Sequence, residues 1–223
     1  MAGDLPLDPV TFEVLKNSFI TSVDQMGEQV LRTCYSFVIY NRDFSSALHD
    51  AKGECAAQGN QDIAVHVGTL HFTCQDVMRY FEGDMHEGDV FAINDPYAGG
   101  THFSDVRLIR PIFADGKIIA FSQSNGHWSD MGGSVPGSFD VAARDMFREG
   151  LRITPIRLFD KGRFCNEINL ISGISASGAK AASGIERPLS CTKVGLPCHD
   201  RPTLRPGPSR ARHASTRSRS GTR

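Results

Sequence analysis

Apolar positions recur at near-helical spacing from Val10 through Leu15, Phe19, Val23, Met26, Val30 and Leu31. With Asp8 as a cap and Pro9 in the first turn, the pattern predicts an amphipathic helix running to about Thr33 and packing one face on a core. Ser36 to Ile39 reads as a short strand, and the Asp50-Ala51-Lys52-Gly53 turn predicts a hairpin. Residues 63–82 read as a second helix, with Val67, Leu70, Cys74, Val77 and Phe81 on one side. Val90-Phe91-Ala92-Ile93 is a short strand that runs into the break at Asn94-Asp95-Pro96. Val106 to Phe113 and Lys117 to Ser124 form the clearest strand pair, joined at Asp115-Gly116. Residues 140–150 read as helical. Leu151 to Leu158 reads as a strand or edge segment, because Pro155 removes a ladder donor. The expected fold class is α+β, with an N-terminal amphipathic helix and a β-rich middle containing a hairpin at 105–127.

Polar residues interrupt this pattern at two places. Asn94-Asp95-Pro96-Tyr97-Ala98-Gly99-Gly100-Thr101-His102-Phe103-Ser104-Asp105 is answered by Gly126-His127-Trp128-Ser129-Asp130-Met131-Gly132-Gly133. Such segments make a poor core and suit a metal or a polar substrate. A regular turn at Asp115-Gly116 pairs Ala114 with Lys117, and extending that register places His127 opposite Ser104. His102 is then the diagonal neighbour of His127 on the same face, within roughly 7–8 Å. Asp105 points to the other face of a regular strand. For it to join the pair, the chain must bulge or leave the ladder near Phe103 to Asp105.

Two neutral imidazoles and a carboxylate, with positions left open, suit a catalytic Fe, Mn or Zn centre. Asp95 and Asp130 are further candidate ligands, or acceptors that orient an imidazole. Spacing alone leaves the plainer reading open, in which His102 and His127 are strand-end residues without a metal. His66 and His71 lie five apart and do not stack on one helical face, so pattern alone makes each a local polar or core residue. The Gly-Gly pairs either turn backbone N–H groups toward a ligand or make tight turns. No G-x-x-x-x-G-K-S/T loop or strand-associated G-x-G-x-x-G occurs, so the chain shows no ATP site of its own.

Charge divides the chain. Its formal net charge is −1, but residues 174–223 hold 10 Lys+Arg against 2 Asp+Glu, and all 19 aromatic residues lie before position 174. An acidic foldable region, 1–173, is followed by a basic low-complexity tail that lacks the means to build a core. A nucleic-acid-binding arm is the rival reading of the tail, but it has no aromatics for base stacking and no binding motif. No nucleic-acid partner is therefore expected. The six cysteines form no C-x-x-C pair, which fits free thiols in a reducing cytosol. No apolar run reaches transmembrane length, and the N-terminus lacks the regions of a signal peptide. A soluble cytoplasmic protein without membrane contact is expected.

The motif residues carry a resemblance. Asn94-Asp95-Pro96-Tyr97, Gly99-Gly100-Thr101-His102, Asp105, His127, Asp130-Met131-Gly132-Gly133 and Pro136-Gly137-Ser138 resemble the hydantoinase B / 5-oxoprolinase family. Asp8-Pro9-Val10-Thr11, Arg32-Thr33-Cys34-Tyr35-Ser36, Asp43-Phe44-Ser45, Asp50, Gly53, Ala57-Gln58 and His66-Val67-Gly68 extend it, so that it runs from about Leu7 to Gly173. The resemblance implies a subunit that acts with a separate ATP-binding, hydantoinase A-like subunit. Together they couple ATP hydrolysis to opening a cyclic amide such as a hydantoin or 5-oxoproline. Related acetone and acetophenone carboxylases use the same kind of subunit to carboxylate a phosphorylated ketone enol, which is the alternative. The carboxylase relatives imply a divalent metal on His102, Asp105 and His127, beside which Asp95 stays a candidate ligand from its place in the motif. His66, Asp43 and Asp130 are then the candidates for proton transfer or support of the site.

Family B subunits are usually more than twice this length, and the match stops near Ile171-Ser172-Gly173. The segment beyond has the composition of GC-rich DNA read in the wrong frame. The expectation is a truncated or frameshifted product whose residues 174–223 are disordered or out of frame, and an inactive fragment is the third functional alternative.

Overall fold

Asp8 opens the first helix, α1 (Pro9–Thr33), by accepting hydrogen bonds from Val10 N and Thr11 N, both at 3.0 Å. Pro9 adds no unsatisfied donor in the first turn. The computed structural model describes residues 7–165 and 168, apart from 35 and 67. Only the second half of α1 is buried, through Val23, Met26, Gly27 and Val30. Val10, Phe12, Val14 and Phe19 of the first half remain exposed, so the helix packs on the core over half its length.

Ser36 to Ile39 is not a strand. Ser36 accepts from Ile39 N and caps a one-turn helix, α2 (Phe37–Tyr40). The cap overrides the β preference of Val38 and Ile39, and Arg42, at φ 73°, ends the turn. The expected hairpin follows as β1 (Phe44–Asp50) and β2 (Cys55–Gln58). The helix expected over 63–82 is divided. Gly68, at φ 83°, separates a 3-10 turn at Ala64–His66 from α3 (Leu70–Tyr80). The interruption turns His66 inward, to 1% exposure.

The remaining strands are β3 (Val90–Ile93), β4 (Asp105–Ala114), β5 (Lys117–His127), β6 (Ile156–Asp160) and β7 (Arg163–Phe164). They complete a seven-stranded sheet of order β2-β1-β5-β4-β3-β6-β7 in which every neighbouring pair is antiparallel. β6 is not an edge, since it pairs with both β3 and β7 and Pro155 precedes it. The helix expected over 140–150 is absent apart from a 3-10 turn at Met146–Arg148. Asp140 takes Ala142 N, and Asp145 takes Phe147 N and Arg148 N, so side chains compete for the amides a helix needs. Val141 and Phe147 are exposed and give such a helix no buried face.

One face of the sheet packs Phe91, Ile93, Ile109 and Phe121 against Cys74 and Val77 of α3. The other packs Val90, Ala92, Val106 and Leu108 against Met131 and Leu158. Each fully buried side chain of this size contributes about 1.5–3 kcal/mol. Among the described residues no helix is long and apolar enough to cross a membrane. Cys34, Cys55 and Cys74 are free thiols. Cys191, Cys198 and the whole tail from 174 lie outside the described residues.

His49 is fully buried on β1. Burial pushes its pKa down to about 4, against an opposing interaction with Gln123. The unfolded chain therefore binds the extra proton between about pH 6.5 and 4. Stability is complete above that window and falls by about 3 kcal/mol as pH drops through it. Urea unfolding of wild type and His49→Gln across pH 7 to 4 should show a shallower decline in the variant. Parallel curves would refute this assignment.

Candidate metal centre

The β4–β5 register brings the carboxylate to the imidazoles. Ala114 pairs with Lys117 and Phe113 with Ile118, but Ile112 pairs with Ala120, leaving Ile119 as an extra residue on β5. The ladder beyond this bulge is shifted by one, so His127 stands opposite Asp105 rather than Ser104. The chain does leave the ladder before Asp105, through a turn at Phe103-Ser104 with β4 starting at Asp105, and Asp105 joins the site through that exit together with the bulge beside the hairpin turn. The bulge reverses the face of every residue beyond it on one strand relative to the other. His102 is not a strand neighbour of His127. It sits in the turn before β4, where its C=O accepts from Asp105 N at 3.0 Å. The two rings still meet, with centroids 4.8 Å apart.

Asp105 is fully buried at the centre. Its Oδ2 lies 3.1 Å from His66 Nε2 and 3.5 Å from His102 Nε2, while Oδ1 is 3.9 Å from His127 Nδ1. Asp43, carried just before β1, stands 3.3 Å from His127 Nδ1 and 3.9 Å from His66 Nε2. Thr101 donates its hydroxyl to Asp105 Oδ2. The structure therefore brings together Asp43, His66, His102, Asp105 and His127. His102, Asp105 and His127 form one set able to hold an ion, and Asp43, His66 and Asp105 form another.

The charge states suit a cation. Burial acts to raise the Asp105 pKa, but hydrogen bonds from His66 and Thr101 and the fields of His102 and His66 outweigh it and hold the carboxyl below its usual value. Burial and the neighbouring His102 push the His127 pKa down, against Asp43 and Asp105, which favours a neutral ring. Metal ligands must be in these deprotonated states. Asp105 Oδ1 and His127 Nδ1 are buried without a hydrogen-bond partner. Such orphaned donor atoms, facing one another, are what an absent cation would satisfy.

Behind the centre, His66 is held by Ser45 Oγ at 2.8 Å and Asn125 Nδ2 at 3.0 Å from Nδ1. The ring is 1% exposed, and its Nε2 faces Asp105 at 3.1 Å and Asp43 at 3.9 Å. Arg107, also fully buried, lies two residues along β4. It donates to Thr69 O, Thr69 Oγ1, Thr73 Oγ1 and Gly99 O at 2.9–3.0 Å. Thr69 in turn donates to His66 O at 3.0 Å. One guanidinium thus ties the loop that carries His66 to the Gly99-Gly100-Thr101 loop that carries Thr101 and His102. At Gly99, φ is 83° and an added Cβ would lie 2.4 Å from Phe72 Cβ. Glycine there allows the loop to reach α3.

Asp95 and Asp130 are placed elsewhere. Asp95 accepts from Tyr97 N at 3.0 Å and from Arg152 Nη2 at 2.6 Å, and it is not among the ion-holding sets. Asn94 donates to Phe103 O and Leu151 O and accepts from Ile153 N. The Asn-Asp-Pro stretch therefore staples the loop that leads into Asp105. Asp130 accepts from Gly132 N and Ser138 Oγ and shapes the 130–138 loop. Sequence reasoning assigned no role to Arg107, Asn125, Ser45 or Thr101. A charged residue at the core phase of a strand, as at Arg107, was the available signal.

A cavity of about 550 Å³ opens beside His102 and His127. Phe37, Val38, Phe139 and Val141 contribute its apolar wall.

The hydantoinase B/oxoprolinase family matches residues 8–177. An uncharacterized protein of Methanocaldococcus jannaschii is 35% identical over 195 residues, covering 85% of this chain and 34% of its own. The caprolactamase subunit beta of Pseudomonas jessenii is 34% identical over 158 residues, covering 70% of this chain and 27% of its own. 5-Oxoprolinase 1 of Arabidopsis thaliana is 34% identical over 161 residues, covering 72% and 13%. This chain thus spans about a third or less of the length of these relatives. The crystal structure of the ATP-dependent caprolactamase from Pseudomonas jessenii superposes with a TM-score of 0.78 at 29% identity, covering 85% of this chain and 33% of that one. Nucleotide-free acetone carboxylase shares the fold, with a TM-score of 0.76 at 19% identity, covering 84% and 25%. With its motif residues gathered around Asp105 and three quarters of its length matched, the chain belongs to the hydantoinase B/oxoprolinase family.

Proposed function

We propose that this chain supplies the metal-holding part of an ATP-dependent cyclic amidohydrolase that opens a lactam- or hydantoin-type ring. The observation that carries the reading is the convergence of His102, Asp105 and His127, with Asp43 beside them, at the end of a cavity. A relative's name as a subunit beta supports a partner subunit, and the nucleotide site is proposed to lie on that partner. Coupling to ATP and the free thiols Cys34, Cys55 and Cys74 support a cytoplasmic setting.

His102, Asp105 and His127 would hold a divalent Mn, Zn or Fe, with Asp43 in reach as a fourth group. Bound there, the ion supplies Lewis acidity for a carbonyl oxygen or a water molecule. Asp105 keeps its charge through Thr101 and His66, and Ser45 and Asn125 orient His66. Asp43, partly open to solvent, is the carboxylate placed to accept a proton from attacking water. The partner transfers the γ-phosphoryl of ATP to the amide oxygen, one water adds at the carbon, and the C–N bond breaks as a proton passes to nitrogen, leaving an acyl phosphate that a second water hydrolyses to the carboxylate and phosphate. The products are the ring-opened acid, ADP and phosphate.

The test is reconstitution of the chain with the remaining part of a B subunit and an ATP-binding A subunit. Chelation should abolish ATP-dependent ring opening by at least roughly a hundredfold, and Mn, Zn or Fe should restore it. Full activity in chelated, metal-free protein would refute the reading.

A further inference from the structure

We propose that the cavity beside the imidazole pair selects an uncharged cyclic amide and discriminates against a ring bearing a carboxylate. This rests on the ring-opening reading and assigns its substrate class. His102 and His127 reach the cavity together with Phe103 and Ser104. Farther out, Phe139 and Val141 are 83% and 90% exposed, so the rim presents apolar surface to whatever enters. Such a rim removes water from a ring methylene at no cost and from a carboxylate at a large one.

The charges along the wall have the same sign as the disfavoured group. The lining includes Asp140 and Glu149, and none of the described residues lining it is Lys or Arg. Asp140 is offset by Arg148, whose Nη2 lies 2.7 Å from its Oδ2. That guanidinium also donates to Ala142 O at 3.2 Å, which commits it to the loop. Among the described residues Glu149 has no ion pair, so the wall keeps an uncompensated negative charge. A second carboxylate brought to it meets repulsion between like charges. Both kinds of ring present the same amide to the imidazole end, so selection resides in the wall.

2-Pyrrolidinone and 5-oxoproline form the matched pair, since they differ only by the carboxylate. In the complete complex with ATP, kcat/KM for 2-pyrrolidinone should exceed that for 5-oxoproline by roughly tenfold or more, the ratio that corresponds to about 1.4 kcal/mol. Val141→Lys places a cation on the exposed rim, and Glu149→Gln removes the unpaired charge. Each should narrow the ratio, Val141→Lys mainly by improving KM for 5-oxoproline. Equal turnover, a preference for 5-oxoproline, or a ratio unmoved by both variants overturns the inference and leaves ring opening intact. Calorimetric titration of the same two compounds into the metal-loaded full chain separates the remaining case. Selective binding of 2-pyrrolidinone without ATP-dependent opening in the complex would refute the ring-opening reading while the wall's selectivity stands. Binding of neither compound, or tighter binding of 5-oxoproline, overturns the selectivity.

Discussion

Asp105→Asn should lose divalent-cation binding by more than about a hundredfold, beyond the 10–100-fold typical when a group outside the ligand shell is changed. Asp105 is the one carboxylate common to the two ion-holding sets at this centre, and it touches His66 and approaches His102 and His127. Asparagine keeps the shape and removes the charge that balances the cation. Its amide would also face the Nε2–H of His66 with a donor in one of its two orientations, so the ring behind it loses its anchor. Titration of Mn and Zn into wild type and variant, with metal content measured after dialysis, reads the effect directly. His102→Ala and His127→Ala should each weaken binding less, because each removes one neutral ligand. Retention of wild-type affinity by Asp105→Asn would place the ion elsewhere.

Arg107→Met should cost about 3–5 kcal/mol of stability. Hydrogen bonds from charged groups contribute about 1.5–3 kcal/mol each, and their losses do not simply add when acceptors share one donor group. Burial draws the Arg107 pKa down to about 10, with Asp105 opposing it, so the guanidinium stays charged at neutral pH. Its removal strips the Thr69 and Gly99 carbonyls of a donor and frees the two loops that deliver His66 and His102. Metal affinity measured at low temperature on folded protein should therefore fall as well, by roughly tenfold. Arg107→Lys keeps the charge without the planar fork and should fall between wild type and Arg107→Met in both measurements. A loss of stability with unaltered metal affinity would show that Arg107 supports the core and not the centre.

Local chemistry made several elements readable. Asp8 and Pro9 announce α1, and Asp115-Gly116 announces the β4–β5 hairpin. Asp50 accepts from Lys52 N and Glu54 N, the bonds that its turn sequence anticipates. Misreadings came where one residue outweighed the average. Ser36 turned a β-branched run into a helical turn, Gly68 cut a helix in two, and Asp140 and Asp145 took the amides of another. The residue composition of the candidate site was visible as His102, Asp105 and His127. Its geometry was not, because the extra residue at Ile119 has no marker within Lys117-Ile118-Ile119-Ala120. The joining of Asp43 and His66 to that group was equally hidden, since they approach Asp105 from separate segments.

Residue types and their immediate neighbours were enough to announce helix caps, turns and the family, and to name His102, Asp105 and His127 as a candidate group, because these depend on contacts a few positions apart. Which groups converge was decided by the sheet and its bulge, by a glycine that turns His66 inward and by the Arg107 clamp. Those are distances between segments remote in the chain, and they exist only once strands are paired and loops are held against them.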